Sequence, residues 1–233
     1  MMPRIRSKIH GEDYPSQSRD KTCDEIPLPS IIQSETIPCE LLEALPAAGI
    51  HELHGIPFQF GYPVEADSDA ARHSTNPTSC TIPVNGAYDS FLFLYAAGHN
   101  AERIAWQPLV QTGEYTIVYE DGTTIHVPIE YGGNIMVWNR RPNVPMNIAY
   151  YRHQGYVGTY FMDAFLSSKT KKGNDMTIYG YEWLNPWKGK KVISITLTAK
   201  GDTDSSIMLF ALTGIRRLRD DSCVQNALAS EFC

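Results

Sequence analysis

The chain has 233 residues, of which 42% are hydrophobic and 20% charged, with a formal net charge of -6 and a pI near 5.6. That acidity excludes nucleic acid as the natural partner, because phosphate recognition needs clustered Lys and Arg. With 17 Gly, 15 Pro and 11% aromatic residues, the composition favours many short strands broken by turns, and the length suits one domain of that class.

Residues 1–34 are polar, carry Pro3, Pro15, Pro27 and Pro29, and lack apolar periodicity, so they read as an extended or disordered leader. The opening MMPRIRSKIHGEDYPSQSRDK lacks the apolar run of roughly 7 to 15 residues that a secretory signal needs. As written the chain reads as cytoplasmic, or as a module of a secreted enzyme. No stretch is apolar enough for a membrane span, so no membrane partner is expected. Residues 35–218 form the expected β domain and 219–233 a flexible tail.

Within that domain CELLEALPAAG (39–49) reads as a short helix or turn. Apolar segments then recur between turn signals: GIPFQFG (55–61), CTIPV (80–84), SFLFLYAA (90–97), EYTIVYE (114–120), TTIHVPI (123–129), GYVGTYFMDAFL (155–166), DMTIYGYEW (175–183), KVISITLTA (191–199) and SSIMLFALTGI (205–215). About nine strands and no repeated βαβ pattern predict an all-β fold of two packed antiparallel sheets. SFLFLYAA is apolar throughout, as a strand covered on both faces must be. In VISITLTAK, Val192, Ser194, Thr196 and Thr198 alternate with Ile193, Ile195 and Leu197, which predicts one solvated face. Asp121-Gly122 predicts a two-residue type I′ turn. That register sets Val118 opposite Ile125 and Thr116 opposite Val127 on a core face, and leaves Tyr115, Ile117, Tyr119 and His126 on a half-wet one.

Nucleotide, hydrolase and zincin signatures are absent: there is no GxxxxGK[ST], GxGxxG, GxSxG or HExxH. Cys23, Cys39, Cys80, Cys223 and Cys233 are odd in number and lack Cys-x-x-Cys spacing, which predicts free thiols, with one bridge in a secreted chain as the alternative. His51 and His54 sit among Gly49, Gly55 and Pro57, which disfavour a helical metal pair. Glycoside hydrolysis needs two facing carboxyl groups, and the candidates are Glu182 with Asp163 or Glu130. Glu182 stands out within YGYEWLNPW, although a carboxylate that caps backbone amides fits that context too.

Sugar recognition asks for aromatic platforms and planar polar side chains. Trp183 and Trp187 bracket Asn185, with Tyr181 and Glu182 just upstream; Trp138 precedes Asn139 and Arg140; Trp106 follows Arg103 in an expected loop. Trp106, Trp138, Asn139, Arg140, Tyr181, Glu182, Trp183, Asn185 and Trp187 are therefore the candidate carbohydrate contacts. In KGDTDSS, Asp202 and Asp204 are the candidate cation ligands, with an ordinary polar turn as the alternative.

The order of these segments, above all the Tyr-x-Asp-Gly-Thr hairpin with its following VPIEYGGNI (119–135) and the Glu-Trp-x-Asn-Pro segment (182–186), resembles a galactose-binding-like jelly-roll β-sandwich module found in bacterial glycoside hydrolases and related polysaccharide-degrading proteins. The resemblance covers about residues 35–216. It implies a non-catalytic accessory module that binds an oligo- or polysaccharide beside a catalytic domain, and a structural calcium as the one cofactor such modules often hold. The alternatives are a catalytic glycoside hydrolase built on Glu182, and a structural or protein-interaction domain whose exposed strand edges would allow a homodimer.

Overall fold

The computed structural model describes residues 15–29, 37–67, 77–98, 110–131, 133–139, 162–200 and 205–218. A 3-10 turn (Pro15–Gln17) precedes β1 (Lys21–Ile26), α1 (Cys39–Leu42), β2 (Gly49–Leu53), β3 (Ile56–Phe60), β4 (Val64–Asp67), β5 (Ser79–Ala87) and β6 (Ser90–Ala97). Then follow β7 (Val110–Tyr119), β8 (Thr124–Tyr131), β9 (Met162–Lys169), β10 (Asp175–Leu184), β11 (Lys191–Ala199) and β12 (Ser206–Arg217). The fold is all-β with antiparallel sheets. The order in the larger sheet is β1-β12-β6-β10-β9, with β4 also on β12; the second sheet runs β5-β11-β7-β8; β2 and β3 form a separate hairpin.

The two larger sheets bury one cluster between them. Phe91, Phe93 and Tyr95 of β6 meet Tyr115 and Ile117 of β7, and Ile195 and Leu197 of β11. Phe93 stacks on Tyr115 with ring centroids 4.2 Å apart. The opposite face of β6, Leu92, Leu94 and Ala96, is covered by Ile56, Phe58 and Phe60 of the small hairpin and Leu41 of α1. A third layer thus explains why every residue of β6 is buried. β12 serves both clusters through a bulge. Leu209 faces Tyr95 and Ala211 faces Leu94, so Phe210 is the extra residue and the in-out pattern changes phase there.

The β7–β8 hairpin corrects the expected register. Val118 lies opposite Thr124, Ile117 opposite Ile125, Thr116 opposite His126 and Tyr115 opposite Val127. Gly122 N–H donates to Tyr119 O at 2.9 Å, and Gly122 has φ of 82°. The connection is therefore a longer turn with a left-handed glycine, not the two-residue type I′ form. One residue of slip exchanges the faces, so Tyr115, Ile117 and Tyr119 point into the core and Thr116 and His126 point out.

Within the stretch read as a leader, residues 15–29 form the 3-10 turn and β1. β1 adds to the sheet edge with Lys21 opposite Arg217 through Ile26 opposite Leu212. Its polar sequence KTCDEI suits an edge strand. Two more strands, β2 and β4, lie outside the segments expected from apolar runs. β11 keeps Ser194, Thr196 and Thr198 on its half-exposed face, but a bulge between Val192 and Ser194 turns Val192 inward.

Candidate functional site

β10 alternates its side chains across the larger sheet, and that alternation separates residues that are adjacent in sequence. Tyr181 is buried in the cluster between the sheets. Trp183 packs on the same side and stacks on Phe91 at 6.2 Å. Glu182 points the other way, as Ser90 does on β6, and reaches the 3-10 turn. Ser16 N–H and Ser90 Oγ donate to Glu182 Oε1 at 3.0 Å and 2.6 Å, and Ser16 Oγ donates to Oε2. Burial raises its pKa against the lowering effect of the Ser16 and Ser90 hydrogen bonds and of Arg217. These contacts fasten the start of β1 to the sheet.

Asn185 ends β10 fully buried. Its Oδ1 accepts from Tyr119 Oη at 2.6 Å and Trp187 N–H at 3.0 Å, and its Nδ2 donates to Tyr88 O at 2.8 Å. Two acceptances and one donation thus tie the start of the β10–β11 loop to Tyr119 at the end of β7 and to Tyr88 between β5 and β6. Trp187, 40% exposed, sits edge-on to Tyr119, and the Lys190 ammonium lies 4.6 Å from its ring centre. Lys190 also pairs with Asp121 at 2.5 Å, which lowers the Asp121 pKa to about 2.

The opposite end of β10 carries a cleft. After β8, Asn134 spans the turn by accepting from Glu130 N–H and donating to Pro128 O, each at 2.8 Å. The chain then runs between β6 and β10: Ala97 N–H donates to Met136 O at 2.9 Å and Thr177 N–H to Trp138 O at 2.7 Å. This bridging run sets Trp138 and Asn139 beside the β9–β10 turn and α1. A cleft of about 450 Å³ opens there, lined by Glu40, Trp138, Asn139, Lys169, Gly173, Asn174 and Asp175. Trp138 is 8% exposed, so its ring belongs mainly to the core and contributes only an edge.

Charges around the cleft are paired. Lys169 Nζ lies 3.3 Å from Asp175 Oδ1, and Lys172 Nζ lies 3.6 Å from Glu40 Oε2, which also accepts from Asn174 Nδ2 at 3.4 Å. Outside it, Lys171 pairs with Glu43 at 3.1 Å.

Of the sequence candidates, the structure brings Trp138 and Asn139 together. Trp187 and Asn185 lie beyond the far end of β10, a ten-residue strand that spans roughly 30 Å. Trp106, Arg140, Asp202 and Asp204 lie outside the described residues, as does the Asp163 side chain. Glu130 sits on β8, the edge strand of the smaller sheet. Among the described residues no three His, Cys, Asp or Glu side chains cluster as metal ligands, and no helix is long and apolar enough to cross a membrane. Sequence reasoning missed Glu40, Lys169, Asn174 and Asp175. Lys169, Asn174 and Asp175 belong to the polar turn KTKKGND (169–175) and Glu40 to α1, and only the bridging run brings Trp138 beside them.

No family model and no curated protein matches the sequence. Among solved structures, the catalytic domain of a GH87 alpha-1,3-glucanase in complex with tetrasaccharides aligns with 11% identity and a TM-score of 0.33. The alignment covers 88% of this chain and 27% of that one. A likeness this weak carries no argument about fold or activity.

Proposed function

We propose that this chain is a non-catalytic carbohydrate-binding module of jelly-roll type, with the cleft beside Trp138 and Asn139 as its saccharide site. The observation that carries the reading is the lining: two side-chain amides, two carboxylates and the edge of a tryptophan converge on one concavity. Its volume falls in the range of small-ligand sites, roughly 300 to 1,000 Å³. Such planar groups accept from and donate to vicinal hydroxyls. Strand order supports the jelly-roll assignment. Taken without β1 and β9, the sheets read β4-β12-β6-β10 and β5-β11-β7-β8, the eight-strand, two-sheet arrangement in which the chain passes repeatedly between layers.

The catalytic alternative built on Glu182 is disfavoured by where that carboxylate lies. Hydrolysis wants two carboxyl groups about 5 to 10 Å apart across the sugar, one of them kept protonated. Glu182, the carboxylate whose burial raises its pKa, is bound to Ser16 and Ser90 and lines neither this cleft nor the smaller one beside Tyr62. Calorimetry against neutral oligosaccharides, read together with Trp138 fluorescence, tests the proposal. Asn139→Ala is expected to weaken binding roughly tenfold, the worth of one hydrogen bond of about 1.4 kcal/mol. Absence of binding to the unaltered chain at millimolar saccharide would overturn it.

A further inference from the structure

We infer that the cleft selects uncharged saccharides over uronic-acid and amino sugars, with Glu40 as the specificity-determining acceptor; the inference rests on the saccharide-site reading above. Among the described residues, the ionic side chains that line the cleft are Glu40, Lys169 and Asp175, and Lys172 reaches Glu40 from the turn. They balance as two carboxylates against two ammonium groups, each pair within 4.0 Å. A uronate entering this site would have to displace Asp175 from Lys169 or Glu40 from Lys172. An amino sugar would compete with those same lysines for the carboxylates. Either charged ligand would trade one exposed ion pair for another, so its charge gains little at this site. A neutral hydroxyl meets no such competition.

Glu40 is placed for this role. Both of its described contacts, from Asn174 Nδ2 and Lys172 Nζ, fall on Oε2, so among the described residues Oε1 has no protein donor. That oxygen can accept from a ligand hydroxyl while Asn174 and Lys172 hold the carboxylate in place. Lys169 is tied twice within its own turn, to Asp175 Oδ1 and to Gly173 O, both at 3.3 Å.

The test titrates the full chain with neutral, uronic-acid and amino-sugar oligosaccharides of equal length, at about 20 and 500 mM salt. Neutral ligands are expected to bind, with Kd changing less than about twofold across that range, because no net charge is brought together. Glu40→Gln should weaken neutral binding roughly tenfold and, by freeing Lys172, improve uronate binding severalfold. Tighter, salt-sensitive binding of either charged class by the unaltered chain overturns the selectivity while leaving saccharide binding intact. Neutral binding untouched by Glu40→Gln overturns the role of Glu40. Failure of all three ligand classes overturns both readings.

Discussion

Glu182 shows how one carboxylate can look catalytic in a sequence and act as a fastener in the fold. Its three donors are compatible with an amide. In Glu182→Gln, Oε1 can still accept from Ser16 N–H and Ser90 Oγ, while Nε2 donates to Ser16 Oγ. Stability should then stay within about 1 kcal/mol of the parent, whereas Glu182→Ala leaves buried donors unmet and should cost roughly 2 to 4 kcal/mol. The pH dependence has a definite sign. Because burial raises its folded pKa, the folded state holds the proton more tightly than the unfolded one. That contribution is fully present below the unfolded value of about 4.3 and is lost as pH rises through the folded pKa. Glu182→Gln should therefore gain on the parent as pH rises from 4 to 7, in chemical denaturation at each pH, with saccharide affinity unchanged. A Gln variant as damaged as the Ala variant would contradict this account.

Elements built on long apolar runs were legible in the sequence, and elements defined by their neighbours were not. β6 announced itself because burial on both faces leaves no polar position. β1, β2 and β4 are short or polar, and become strands only because β12 and β3 offer free edges. The β7–β8 register hinged on one residue of turn geometry that Asp-Gly leaves undecided. The two motifs that carry the family resemblance, around Asn134 and Asn185, close loops internally, while the cleft depends on contacts between α1, the run after β8 and the β9–β10 turn, which no local pattern encodes. β9 and β10 approach closely at Gly180, where an added Cβ would lie 2.1 Å from the Phe165 ring. Gly180→Ala should destabilise by about 1 to 3 kcal/mol, and Phe165→Leu in the same chain should recover part of that loss. Additive losses in urea titrations would place the strain elsewhere.

Across the whole molecule, the core is rich in phenols. Tyr95 and Tyr115 have pKa values raised well above the ordinary tyrosine value by burial, and Tyr119 is pushed up to about 12 for the same reason. The Tyr95 hydroxyl donates to Asn134 O, while the Tyr115 hydroxyl has no partner among the described residues. Unfolding releases these protons more readily than the native state does, so stability must fall as pH rises from about 10 toward 12. The urea midpoint should drop across that window, and Tyr119→Phe should flatten the drop while lowering the midpoint at neutral pH through loss of the Asn185 bond. A midpoint constant to pH 12 would refute the buried-phenol account.

The placement of β12 also governs how the chain reaches this state. It is the last strand of the described chain, yet it lies between β6 on one side and β4 and β1 on the other. Its partners are therefore synthesised long before it and must wait, with the edges of β6 and β1 unpaired and the aromatic cluster open on one side. Closing contacts of such sequence separation is slow, so a chain stalled before residue 206 would expose adhesive strand edges. Folding yield, more than native stability, is where damage to β12 should first be felt.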